Sequence, residues 1–353
     1  MKIYVDKKYH FYELFNEKNG TLIRSNIEGT DIDAKCRSFP ELIDIGIMGS
    51  CISGKTGICK NAGIDCYQNA ISSCKPDMSL DGYEWIVSQC KDKVFQVALG
   101  GAGDPNKHKD FADILEVTRY NEIIPNLTTS GYLLSDEEIN LIKKYCGAVA
   151  VSYYSRLERD KESNYITCEA IERLIKAGCI TNIHFIISDK TIEEAIYRLE
   201  NNIWSKGISA IIFILYKPVG LGVEEKTVKV DDRFKKFMNL VLNNKYPFKI
   251  GFDTCFTPAL CNYEEKISFQ SIDACEAARF SMYIDSELAA YPCSFDNQTG
   301  QYKVELKPAS IQEAWDSEMF EKFRSNNKEK CASCDKGNIC NSGCHLGLGI
   351  DLC

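Results

Sequence analysis

Three cysteines stand close together early in the chain. They are Cys51, Cys59 and Cys66 of "GSCISGKTGICKNAGIDCYQ", with seven residues in the first gap and six in the second. The spacers are rich in glycine and hold no histidine. Thiolates are soft ligands that select zinc, Cu(I) or iron–sulfur clusters. A closed structural zinc site takes four protein ligands. Three thiols with no fourth nearby suit a cubane cluster with one iron left open, where a substrate or cofactor can bind. The competing reading is a set of scattered, buried free thiols.

A second concentration lies in the tail. "CASCDKGNICNSGC" holds Cys331, Cys334, Cys340 and Cys344 in the pattern C-x2-C-x5-C-x3-C, and Cys353 follows. Upstream, Cys275 and Cys293 flank "CEAARFSMYIDSELAAYPC", which reads as a small hairpin. Taken alone, the run of four also fits a zinc ribbon. That reading leaves Cys275, Cys293 and Cys353 without a role.

With 353 residues, the chain can bury one large core and a smaller domain. It is 44% hydrophobic and 26% charged, an ordinary globular composition. No apolar run approaches the roughly 18 residues of a membrane span, and "MKIYVDKKYHFYELF" lacks the apolar core of a signal peptide. A cytoplasmic protein with reduced thiols is expected, with no membrane partner. Its 18 cysteines then point to metal rather than to disulfides, and with only four histidines the ligands must be mostly thiolate. The net charge of −8 argues against a non-specific nucleic-acid binder.

The elements that must position these thiols alternate. An apolar strand in "FPELIDIGIM" stops just before Cys51. Further strands are expected at 94–99, 123–127, 148–152, 181–187 and 210–215. Helical patterns lie between them, with capping residues at Ser79, Ser135 and Thr167. Six parallel strands, each followed by a helix, make an α/β fold, a partial (β/α)6 TIM-like barrel with its chemistry at the carboxyl ends of the strands. Residues 1–41 read as an extension containing a hairpin at Asn19-Gly20, 42–250 as the barrel, and 251–353 as an irregular, cysteine-rich iron–sulfur domain. One helical piece is expected in "SIQEAWDSEMFEKFRSN".

The trio, placed after the first strand, resembles the cluster loop of the radical S-adenosylmethionine (radical SAM) enzymes. There the cysteines are more closely spaced, and an aromatic residue usually precedes the last one, where this chain has Asp65. Tyr67 after Cys66 matches the family habit. The second strand ends in "GGAGDP", and Gly100, Gly101, Gly103 and Asp104 resemble the strand end that receives the methionine ammonium in that family. Thr129, Ser130, Ser152, Asn182 and His184 fall near positions that carry ribose- and carboxylate-binding groups in the family; taken singly, each reads first as a strand-end turn or a satisfied core residue, His184 especially. The tail resembles the SPASM extension, except that Leu288 stands where a glycine is expected, so a differently built turn is anticipated.

By this resemblance the chain carries three 4Fe–4S clusters. Cys51, Cys59 and Cys66 hold the one that binds S-adenosylmethionine. Cys275, Cys293 and Cys344 hold the first auxiliary cluster, with Cys255 preferred to Cys261 as the fourth ligand. Cys331, Cys334, Cys340 and Cys353 hold the second. The implied reaction is reductive cleavage of S-adenosylmethionine to a 5′-deoxyadenosyl radical that abstracts hydrogen from a substrate, with electrons from a flavodoxin- or ferredoxin-type reductant. The first expectation for the substrate is a ribosomally made peptide, although the residues before the barrel are too few for the leader-recognition domain of many peptide maturases. A small-molecule dehydrogenase is the alternative. A non-catalytic electron carrier is disfavoured because it needs no ammonium site at a barrel mouth.

Overall fold

The computed structural model describes residues 1–27, 35–61, 63–154, 161–350 and 352–353. The chain opens with a three-stranded antiparallel sheet of β1 (Lys2–Asp6), β2 (Phe11–Asn16) and β3 (Thr21–Asn26). The Asn19-Gly20 turn joins the last two, as expected, with Gly20 in the left-handed region (φ 71°).

The barrel strands follow: β4 (Leu42–Met48), β5 (Gln96–Gly101), β6 (Ile124–Thr129), β7 (Val149–Ser152), β8 (Thr181–Ile187) and β9 (Ala210–Leu215). All six pair in sequence order and in parallel. The sheet does not stop there. β10 (Lys249–Phe252) adds a seventh parallel strand beside β9, and β11 (Ser281–Ile284) pairs in parallel with β4 on the other side. β12 (Ala289–Tyr291) and β13 (Val304–Glu305) then continue antiparallel, giving an open sheet of ten strands. The tail expected to be irregular thus extends the barrel sheet, because the hairpin between Cys275 and Cys293 presents an apolar strand to the free edge of β4.

Helices α1 (Ile52–Thr56) and α2 (Ile58–Asn61) lie in the cysteine loop. α3 (Leu80–Cys90), α4 (Phe111–Tyr120), α5 (Asp136–Tyr145), α6 (Lys161–Lys176), α7 (Ile192–Asn201) and α8 (Asp232–Asn243) cover the sheet. Ser79 caps α3 by accepting from the Gly82 N–H, and Ser135 forms a full capping box with Glu138 on α5. Thr167 is no cap. α6 begins two turns earlier, and Thr167 is a fully buried interior residue whose hydroxyl lacks a partner. In the tail come α9 (Thr257–Leu260), α10 (Ile311–Trp315), α11 (Glu318–Arg324) and α12 (Gly337–Cys340). The single helix expected at 310–326 is two, because Ser317 starts a new cap on the Phe320 N–H.

Strand alternation sorts the side chains. Ile43, Ile45, Val97, Leu99, Val151, Ile183, Phe185 and Phe213 face the helices and are buried in the main core. The opposite face carries Asp44, Gln96, Asn126, Ser152, Asn182 and His184, all keeping some accessible surface. The N-terminal sheet is latched to this body. Fully buried Arg37 donates to Glu13 (2.9 Å) and to the carbonyls of Phe39, Pro40 and Lys93. Arg24 bridges Glu41, Asp273 and Glu276 and lies 3.9 Å over the Phe280 ring. Breaking such a buried pair leaves an uncompensated charge, costing about 3–5 kcal/mol.

Candidate active site

The Cys51 sulfur caps α1 by accepting from the Gly54 N–H at 3.2 Å. Its thiol, Cys59 and Cys66 are electrostatic neighbours. Burial is the main cause that pushes Cys59 up to about 12, with Cys51, Asp104 and Cys66 adding to it and a Tyr154 hydrogen bond opposing. Burial likewise raises Cys51. Three clustered thiolates are unfavourable alone, whereas a coordinated thiol is deprotonated outright. The donor set therefore fits an iron–sulfur group.

The loop is pinned from three sides. Asp65 accepts from the Tyr216 hydroxyl (2.8 Å) and from Lys226, both beyond β9. Gly220 presses on the loop backbone: a Cβ there would meet the Tyr67 carbonyl at 2.3 Å. The Leu221 N–H donates to the Cys66 carbonyl at 3.0 Å. At the end of β5, Gly103 crosses the loop so closely that a Cβ would lie 2.3 Å from the Ser50 carbonyl. The aspartate in the usual aromatic position thus ties the lengthened loop to the sixth barrel strand.

The strand ends differ in detail from the expectation. Gly100 faces open space, with nothing within 4 Å of an added Cβ, while Gly101 (φ 118°) packs against Met48. Asp104 is already engaged. It accepts from the Ser130 N–H and hydroxyl, both at 2.6 Å, and from the Ser53 hydroxyl at 3.4 Å. Burial raises its pKa and these bonds oppose the rise. A carboxylate offers about four acceptor positions, so room for a further donor is limited. Thr129 spends its hydroxyl on the Gly131 N–H (3.1 Å); the residue sharing the face of Asn126 is Thr128. Ser152 and His184 are register partners on the inner face, and Asn182 lies two residues before His184. Burial lowers His184 to about 4, so its ring is neutral at physiological pH. Tyr154, which sequence reading passed over, hydrogen-bonds Ser152 and adjoins Cys59, Asp104 and Cys66. Only its place two residues beyond the fourth strand marked it.

The tail thiols fall into two groups. Burial, as the largest cause, raises Cys255 and Cys293 well above the usual thiol range and Cys275 to about 12. Cys275 and Cys344 add to the rise of both Cys255 and Cys293, which places these four together. Lys217, ion-paired with Asp253, offers them a positive charge and lies 4.8 Å from the Phe295 ring. The second group is Cys261, Cys334, Cys340 and Cys353: a Cys340 hydrogen bond lowers Cys261, and Cys334 and Cys353 are its charge neighbours. Cys331 precedes them, its carbonyl accepting from the Cys334 N–H at 3.1 Å. Cys344 therefore leaves its own run, which a four-cysteine zinc ribbon does not explain. Among the described residues, no three His, Cys, Asp or Glu side chains close on a single ion.

Leu288 takes the left-handed conformation (φ 63°) at the hairpin turn, and Asp285 accepts from the Glu287 and Ala289 N–H groups. The turn expected to be rebuilt thus keeps a left-handed residue without glycine. A cavity of about 340 Å³ opens between this hairpin and the cysteine loop, lined by Gln68, Ser72, Lys75, Tyr283 and Asn297 among others.

The sheet is an open partial barrel, with a thiol trio after its first strand and further thiols in its tail. Residues 275–335 match the SPASM family, an iron-sulfur cluster-binding domain. Among curated proteins none matches by sequence. The chain is similar to SuiB of Streptococcus suis, with 18% identity, a TM-score of 0.69, and coverage of 97% of this chain and 94% of that one. It is also similar to SuiB bound to its precursor peptide SuiA, with 19% identity, a TM-score of 0.66, and 88% and 72% coverage. Native anSMEcpe with bound AdoMet and Cp18Cys peptide matches at 17% identity and a TM-score of 0.59, over 86% and 89% of the two chains. The protein has the partial-barrel fold of the radical SAM enzymes, and its residues 275–335 match the SPASM domain.

Proposed function

We propose that this protein is a radical SAM enzyme that modifies a ribosomally made peptide. The observation that carries the reading is the gathering of Cys51, Cys59 and Cys66 at the mouth of this barrel, beside Tyr154 and Asp104. When bound, a cluster and S-adenosylmethionine supply reductive cleavage to methionine and a 5′-deoxyadenosyl radical, which takes hydrogen from the substrate. The chain's own part is placement. Asp65, Gly220 and Gly103 hold the loop, Gly100 leaves space for a ligand, and Asp104 aligns the ends of β5 and β6.

Cys255, Cys275, Cys293 and Cys344 would hold one auxiliary cluster, and Cys331, Cys334, Cys340 and Cys353 another, three clusters in all. Two structurally similar proteins hold peptides, a precursor peptide in SuiB and Cp18Cys in anSMEcpe, which supports a peptide substrate. A small flavodoxin- or ferredoxin-type protein is the proposed reductant.

The test is anaerobic reconstitution followed by assay of S-adenosylmethionine cleavage. Changing Cys51, Cys59 and Cys66 together to Ala should abolish 5′-deoxyadenosine while about two-thirds of the iron stays. Cleavage surviving in that variant would overturn the assignment. Coexpression with short peptides encoded beside the gene, read by mass spectrometry, tests the substrate class.

A further inference from the structure

One buried carboxyl has no part in the chemistry above. Asp44 lies on the inner face of β4, largely enclosed by protein yet retaining some accessible surface. Burial alone perturbs it. Among the described residues no hydrogen bond or ion pair reaches it, and the lysines around the mouth are engaged elsewhere: Lys75 with Asp285 and Glu287, Lys217 with Asp253, Lys226 with Asp65. An unpaired buried carboxylate is costly, and a fold that keeps one has left room for a partner from outside.

Its surroundings are built around it. The register of β11 on β4 places Tyr283 beside Asp44, and Tyr67 is a close neighbour of both. The Tyr283 hydroxyl lies across Gly46, where a Cβ would meet it at 2.2 Å, so only glycine admits it. On β5 the register partners of Asp44 and Gly46 are Ala98 and Gly100, and the Gly100 side is open. Gly100 thus leaves open space on the face that carries Asp44 and Tyr283. Tyr67 directly follows Cys66, so this space adjoins the cysteine loop.

We propose that Asp44, Tyr67 and Tyr283 bind a positively charged substrate group, an ammonium or guanidinium, inside the barrel. A carboxylate supplies the counter-charge, and two phenols supply oxygen acceptors and aromatic surface for a cation. The inference deepens the peptide-modifying reading: it selects peptides that carry a lysine or arginine at or next to the modified position.

The test needs no turnover. Binding of n-butylammonium and n-butylguanidinium to the reconstituted protein is compared with that of n-butanol by ligand-observed NMR. Both cations should bind more tightly than the alcohol. Asp44→Asn should weaken them about tenfold or more, roughly 1.4 kcal/mol per decade, while leaving the alcohol unchanged. Tyr283→Phe, which keeps the ring over Gly46, should weaken them by a smaller factor, and it reads the site by itself should Asp44→Asn lose iron or fold. Equal binding of cation and alcohol, or cation affinity unmoved in the variants, overturns the site. Wild-type S-adenosylmethionine cleavage, measured in parallel, separates the two readings. Cleavage without cation selectivity sinks only this site, and selectivity without cleavage sinks only the radical SAM assignment.

Discussion

The ring of Tyr67 packs on the ring of Phe295, centroids 4.8 Å apart and planes tilted by 46°. Tyr67 follows Cys66 in the barrel loop, and Phe295 lies two residues beyond Cys293 in the SPASM hairpin. The contact therefore joins the mouth of the barrel to the first group of tail thiols. Gln68 and Ser294 adjoin the Tyr67 phenol at the same junction.

Phe295→Ala should remove this contact and leave every thiol in place. Iron content should stay at the wild-type level, while stability falls by about 2–4 kcal/mol, the scale of a large-to-small change at a partly buried ring. Tyr67→Phe keeps the ring pair and should cost only about 1 kcal/mol. Anaerobic thermal unfolding with iron analysis checks both.

Cys255 and Cys261 should separate cleanly. Cys255 stands with Cys275, Cys293 and Cys344, so Cys255→Ala should lower iron from about twelve towards about eight per chain. Cys261 hydrogen-bonds Cys340 in the other group. Cys261→Ala should keep the iron and shift one cluster's midpoint potential, because bonds to ligand sulfurs tune it. Iron loss with Cys261→Ala and none with Cys255→Ala would reverse the assignment.

Asp104→Ala should act on structure as well as on binding. It leaves the Ser130 N–H and hydroxyl without their acceptor, a cost of about 1–3 kcal/mol each way of counting a buried orphan group. S-adenosylmethionine affinity should fall with it. Ser130→Ala keeps the carboxylate and should weaken affinity less; equal losses, measured by equilibrium dialysis, would make Asp104 a positioning residue only.

Burial pushes Asp44 up to about 6 from its usual 3.8; among the described residues its titratable neighbours are the Tyr67 and Tyr283 phenols. The folded state then holds the proton more tightly than the unfolded chain. Its contribution is full below the unfolded value and is lost as pH rises through about 6. Asp44→Asn should therefore unfold at a higher temperature than wild type at pH 7.5, by an amount worth up to about 3 kcal/mol, with a smaller gain at pH 5. Melting curves at the two pH values check the sign.

Local pattern by itself determined much of this protein. The strands at 181–187 and 210–215 coincide with β8 and β9, because alternating and continuous apolar runs have few other uses. Ser79 and Ser135 start their helices through bonds made within three residues. The spacing of Cys331, Cys334, Cys340 and Cys344 marked an iron–sulfur tail, and residues 275–335 match such a domain. Thr167 misled because a capping residue and a buried helix interior look alike until the helix start is known.

What only tertiary structure decided concerns partners far apart in the chain. Asp65 meets Lys226, and Arg24 meets Glu276. Asp104 turns to Ser130, and Tyr283 reaches Asp44, because strands distant in sequence lie side by side in the sheet. Spacing records which side chains a local segment can bring together. Which distant carboxylate, phenol or thiol completes the set depends on sheet order and register, and those follow from burying all ten strands at once.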